Sequence, residues 1–141
     1  MEAIINLLKD KNYHLLKFFQ LNETELMNFV DGNFDNLEVF YQSRETILDL
    51  IRCIDQLIEA ATNAQEQSVQ MPDELKGEVL AAMSQKNDLV TRILAQDLQI
   101  LSVIEQTKSS IIKELRQVQS ARKAVGAYKT NDTVSNFDEE A

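Results

Sequence analysis

The sequence predicts an all-α protein, either an elongated antiparallel helical hairpin or a three-helix bundle with coiled-coil-like packing. Three observations carry that expectation. The 141 residues include only three glycines and one proline, where average sequences hold roughly 12% of the two together. Sheet folds turn every dozen residues or so, and their turns draw on Gly and Pro for backbone angles that other residues resist. Second, 44% of the residues are hydrophobic, which suffices for a buried core. Third, these residues recur at alternating spacings of four and three, the period of helices packed lengthwise on one another.

The first helix is expected over about residues 2–31, where Ile4, Ile5, Leu8, Leu15, Phe19, Leu26 and Val30 mark a weak apolar face. After it, Asp31-Gly32-Asn33 either forms a turn, with Asp35 and Glu38 as N-cap and third-position carboxylate of the next helix, or is traversed by a continuous helix. Traversal would cost about 1 kcal/mol for the glycine. The second helix is expected over about 33–63, on the seam Phe40, Arg44, Ile47, Ile51, Ile54, Ile58 and Ala61.

A polar stretch, Thr62 to Gln70, then leads to Pro72-Asp73-Glu74. Proline in the first helical position, followed by carboxylates at the positive end of the helix dipole, is a start signal. The third helix is therefore placed at about 72–128, on the order of 80 Å long at 1.5 Å per residue. Its seam reads Val90, Leu94, Asp97, Leu101, Ile104, Lys108, Ile111, Leu115, Val118, Arg122 and Val125. Ile93, Leu98, Ile100 and Ile112 widen the stripe, so more than one neighbour is expected. Gly77 lies inside this helix as a weak point, and Gly126 is read as its end. The whole gives one helical domain over 1–128, followed at 129–141 by a mobile acidic tail that closes on Asp138-Glu139-Glu140.

Composition narrows the function. The net charge is −9, which repels nucleic acid. A basic stretch, Lys108, Lys113, Arg116, Arg122, Lys123 and Lys129, lacks the interleaved aromatics that would read bases, so it is taken as a salt-bridge face, internal or towards a partner. The N-terminal ten residues show no signal-peptide pattern, and no window approaches a membrane span. Cys53 has no partner for a disulfide, and as a lone buried thiol it suits a reducing compartment, so a cytoplasmic protein is expected.

Catalytic groups are scarce. His14 is the one histidine and reads as a half-buried structural residue. Zinc sites need several Cys or His ligands, and helical di-iron sites need paired Glu-x-x-His motifs, which the sequence lacks. With no phosphate loop, nucleophile elbow or dinucleotide fingerprint either, the expectation is a protein that is not an enzyme and takes no cofactor. The polar seam residues Asp97, Lys108 and Arg122 either reach water or neighbouring charges at the seam edge, or set register and mark a groove for a partner helix. Arg44 is a candidate to pair with Asp97 or another acid. The apolar surplus, Phe18-Phe19, Phe29, Phe34, Phe40-Tyr41 and the stripe from Leu98 to Ile112, exceeds what thin helical layers cover. Binding is the expected business of the molecule.

The order of these segments resembles a known family. Glu23-Thr24-Glu25-Leu26 leads to Asp31-Gly32-Asn33-Phe34-Asp35-Asn36-Leu37-Glu38, then Arg44-Glu45-Thr46-Ile47-Leu48, and a long final helix ends near Ala127-Tyr128. This resembles the FlgN and FliT type flagellar export chaperones over roughly residues 5–130. Ser109-Ser110-Ile111-Ile112-Lys113-Glu114-Leu115 departs from the final-helix pattern of FlgN-type chains and leaves subfamily and cargo open. The resemblance implies a cytosolic chaperone that holds the helical terminal segment of a secreted filament-associated subunit, prevents premature assembly and delivers it to the export machinery. By helix-in-groove recognition, the cargo would lie on Leu101, Ile104, Ile111, Leu115, Val118 and Val125, with Lys108 and Arg122 in the same seam. Tyr128 matches the family's terminal tyrosine, where contact with export machinery is implied. A homodimer is among the assemblies allowed. The alternative is a structural coiled-coil subunit of a stable multiprotein assembly.

Overall fold

The computed structural model describes the backbone of residues 2–65 and 72–140 and the side chains of residues 2–64 and 72–127. The chain is all-α: helices α1 (Glu2–Val30), α2 (Leu37–Gln65) and α3 (Asp73–Glu140) follow one another, with no strand among the described residues. Residues 1–103 form one compact unit and residues 104–141 another, where the sequence predicts a single domain to 128.

Within the first unit the helices run up, down and up. Contacts between α1 and α3 rise together in number, from Asn12 with Ala82 to Asn22 with Asp97, so these two are parallel. Contacts of α2 run the other way, from Lys11 with Asp55 to Phe29 with Phe40. The core at mid-height combines Leu15 and Phe18 of α1, Ile51 of α2, and Leu89 and Ile93 of α3.

The weak apolar face of α1 has a specific cause. Stepping by four and three from Leu8 reaches Asn12, Leu15, Phe19, Asn22, Leu26 and Phe29, all buried or half-buried. Two of these seam positions are asparagines, so the row is regular in geometry and interrupted in hydropathy. In α2 the expected seam is the buried one, with Phe40, Ile51 and Ile54 buried and Arg44, Ile47, Ile58 and Ala61 half-buried. Cys53 lies outside this row and is exposed, which corrects the expectation of a buried thiol.

The α1–α2 corner is a turn, and Gly32 makes it. Its φ is +83°, a left-handed conformation that costs other L-residues on the order of 1–2 kcal/mol. The Asn33 N–H donates to the Asn28 carbonyl at 2.8 Å, and the Gly32 N–H to the Phe29 carbonyl at 3.0 Å. This is the Schellman pattern that satisfies the last carbonyls of a helix. The capping expected of Asp35 and Glu38 does not form. Instead the Asn33 side chain accepts from the Asp35 N–H, and α2 takes its first helical bond at the Asn36 carbonyl, from Phe40. Rings close the corner: Phe34 stacks on Phe29 at 5.1 Å, and Phe40 meets Phe29 edge-on at 5.4 Å. Phe29 and Phe40 are each 1% exposed.

Helix α3 starts where Pro72 predicts, within one residue, and the Pro72 carbonyl accepts from the Lys76 N–H. Its buried row is not the one the seam count selects. Ala82, Leu89, Ile93, Gln96 and Ile100 are buried, whereas Leu94 and Leu101, one position later, are 59% and 55% exposed. Two adjacent rows are both apolar, and each carries one polar residue at the same level, Gln96 or Asp97. Packing on α1, where Gln96 finds an acceptor, decides between them.

Beyond Ile100 no side chain of α3 is buried among the described residues, and from 105 to 127 nearly all are exposed. The helix continues to Glu140, past the end expected at 128 and through the segment expected as a tail. Gly126 does not end it, because among the described glycines only Gly32 has the positive φ that a glycine cap uses. No proline follows to interrupt the ladder. The side chains of 128–141, including those of the acidic segment, lie outside the described residues, as do residues 66–71 of the polar stretch before Pro72.

Gly32 and Gly77 respond oppositely to alanine. Neither would clash through a new Cβ. Gly32→Ala should destabilise by about 1 kcal/mol because of its φ, whereas Gly77→Ala should stabilise by up to about 1 kcal/mol. Urea unfolding midpoints check both signs.

Candidate functional site

The site residues expected from the sequence all lie on α3. Leu101, Ile111, Leu115, Val118 and Val125 are each between 47% and 55% exposed, Lys108 and Arg122 are exposed, and Ile104 is half-buried. None of the eight belongs to the buried core. The spacing of four and three puts them on one helical face. The Tyr128 side chain lies outside the described residues. Bases flank the stripe: Lys108, Lys113, Arg116, Arg122 and Lys123, against Glu105 and Glu114. Among the described residues none of the five bases forms an ion pair. Val118, Ala121, Arg122 and Val125 bound a shallow apolar recess on this segment.

Two further apolar surfaces belong to the first unit. At the C-terminal end of α1, Leu26 and Val30 face Leu98, Gln99, Ser102 and Val103 of α3 across an open groove of about 480 Å³. Sequence reasoning assigned Leu26, Val30 and Leu98 to packing stripes. The apolar periodicity was visible, but nothing in it tells a covered row from an open one.

The second surface is a cleft of about 260 Å³ in mid-bundle, floored by Leu15, Phe18, Ile51 and Ile93 and bordered by Arg44 and Asp97. Here the sequence does anticipate the pairing. Arg44 Nη2 lies 3.2 Å from Asp97 Oδ1, and its guanidinium sits 4.8 Å from the Phe18 ring centre and 5.1 Å from that of Phe40. Both distances are within cation–π range. Asn22 Nδ2 donates to the same Asp97 oxygen at 3.1 Å. Asp97 thus gathers a charge from α2 and an amide from α1.

Two more buried amides tie α1 to α3. Asn12 Nδ2 donates to the Ala82 carbonyl at 2.9 Å, and Gln96 Nε2 to the Phe19 carbonyl at 3.1 Å. A helical carbonyl has a second lone pair for such a bond, and an acceptor at that position requires the amide nitrogen, not the oxygen, to face it. The opposite oxygens, Asn12 Oδ1, Asn22 Oδ1 and Gln96 Oε1, have no hydrogen-bond partner among the described residues. His14 is half-buried and meets Tyr13 edge-on at 5.5 Å.

Chemically, this set of groups offers surfaces for protein contact. Among the described residues there is no cluster of three or more His, Cys, Asp or Glu placed to hold a metal. Among the described residues no helix is long and apolar enough to cross a membrane. The chain therefore has the architecture of a helical bundle with an exposed amphipathic helical face. Comparison with protein-family models, curated proteins and solved structures finds no match to it.

The Arg44–Asp97 pair should show strong coupling. Asp97→Ala alone leaves a half-buried guanidinium and the Asn22 amide without their acceptor, and should cost about 2–4 kcal/mol. Adding Arg44→Met, which removes the unpaired charge and keeps an apolar stem on the Phe rings, should recover at least about 1 kcal/mol of that loss. A double-mutant cycle on unfolding free energies measures it.

Proposed function

We propose that this protein is a cytoplasmic export chaperone of the FlgN and FliT type. It binds the helical terminal segment of a flagellar filament-associated subunit, keeps that segment from assembling early and hands the subunit to the export machinery. The observation that carries the reading is the exposed apolar stripe of α3, from Leu101 to Val125, on a helix that among the described residues buries no side chain after Ile100. An amphipathic cargo helix would bury its apolar side there at i, i+3, i+4 and i+7 positions. The unpaired bases beside the face would attract carboxylates on the cargo and speed its capture. The compact first unit supplies a folded body that does not need the cargo for its core. The same segment order that resembles the family in sequence, with a short helix pair and a long last helix, supports this reading.

The test is direct binding. A labelled peptide from the helical terminus of a flagellar hook- or filament-associated subunit should bind the full chain in fluorescence anisotropy. Ile111→Asp together with Leu115→Asp should weaken it at least tenfold, about 1.4 kcal/mol. Because both side chains are exposed, the unfolding midpoint of the first unit should stay within about 0.5 kcal/mol of the parent. Undiminished binding by the double variant, or no binding by any such peptide, overturns the assignment.

A further inference from the structure

The mid-bundle cleft is bordered by two charged residues whose bonding capacity the fold leaves partly unused. A guanidinium carries five N–H donors. The Arg44 side chain is 20% exposed, and among the described residues its one acceptor is Asp97. Asp97 in turn meets both Arg44 and Asn22 through Oδ1. Its Oδ2 accepts no hydrogen bond among the described residues, and its side chain is 33% exposed. The pair thus has donors and an acceptor to spare at the edge of an apolar hollow, where polar groups without partners cost stability.

No other polar side chain lines the cleft. Because α2 and α3 run in opposite directions, the steps from Arg44 to Ile51 and from Asp97 to Val90 descend the bundle together, over roughly 10 Å at 1.5 Å per residue. The charges therefore stand at one end of the cleft, and Ile51 and Val90 at the other. Its volume of about 260 Å³ falls just under the roughly 300–1,000 Å³ of sites for drug-sized ligands. The cleft suits a small molecule with a polar head and a short apolar body.

We propose that this cleft binds a free apolar α-amino acid, with its carboxylate on Arg44, its ammonium on Asp97 and its side chain over Leu15, Ile51 and Ile93. Charge selects the head group. Arg44 and Asp97 already neutralise one another, so a simple carboxylate or a simple amine would bring an uncompensated charge into a half-buried place. A zwitterion brings none. Its two charged groups are separated by a single carbon, a spacing as short as that of the Arg44–Asp97 pair at 3.2 Å, so the two dipoles lie side by side with opposite ends matched. The planar fork of the guanidinium is shaped for a carboxylate, and the Phe18 and Phe40 rings hold its orientation before the ligand arrives. None of these residues belongs to the face assigned to the cargo, so the site stands whether or not a flagellar cargo binds.

The experiment uses the full chain without cargo. Isothermal titration with L-phenylalanine should give saturable binding at one site. Hydrocinnamate lacks the ammonium, phenethylamine lacks the carboxylate and L-alanine lacks the apolar body, and each should bind at least tenfold more weakly. Leu94 lines the cleft and is 59% exposed, so Leu94→Trp should fill the hollow, weaken L-phenylalanine at least tenfold and leave the circular dichroism and the unfolding midpoint unchanged. No saturable binding of L-phenylalanine, equal binding of hydrocinnamate or phenethylamine, or binding indifferent to Leu94→Trp each overturns the proposal.

Discussion

Arg44 is where the three helices of the first unit become one object. Its guanidinium lies over Phe18 of α1 and Phe40 of its own helix, and pairs with Asp97 of α3, which also accepts Asn22 of α1. A half-buried charge held against two rings favours a partner at a fixed place, because leaving it unpaired there costs stability. Sliding α2 or α3 by one turn, about 5.4 Å, would separate the pair, and sliding α1 would take Phe18 and Asn22 away from it. Apolar side chains alone tolerate such slips, since one leucine substitutes for another along a seam. The register of the bundle thus depends on this polar centre, and the surrounding Leu15, Ile51, Leu89 and Ile93 supply the burial that makes the register worth holding.

The two interfaces of α1 differ in kind. Towards α2 it closes through rings, with Phe29, Phe34 and Phe40 packed at the Gly32 corner. Towards α3 it is tied by amides from Asn12, Gln96 and Asn22. Ring packing contributes through buried area and is broadly tolerant of angle. Amide bonds are directional and contribute little net energy, but losing one buries an orphan. Three amide oxygens have no partner among the described residues, so the α1–α3 contact gives up stability relative to an all-apolar seam. What it holds in return is alignment: the parallel pairing of α1 and α3 sets which row of α3 turns inward.

That choice of row decides which apolar side chains of α3 stay exposed in the first unit. Once Leu89, Ile93, Gln96 and Ile100 face the bundle, the neighbouring row through Leu94 and Leu101 has to face out. In the sequence the same spacing of four and three continues through Ile111, Leu115, Val118 and Val125.

The sequence by itself determined the helices, their order and the start at Pro72, because these depend on local backbone chemistry and on periodicity, whereas it left the chain at Gly32 open between a turn and a continuous helix. It also offered Asp97, among other acids, as a partner for Arg44, and the structure selects Asp97. It misplaced the end of α3 and the cap of α2, where weak local signals at Gly126 and Asp35 yield to helix continuation and to Asn33. It read α1 as feeble because Asn12 and Asn22 stand where apolar residues were sought. Which of two adjacent apolar rows of α3 is buried was settled only by tertiary structure. Both rows satisfy the same period, and a hydrogen bond from Gln96 to a carbonyl seventy-seven residues away is invisible to any local pattern.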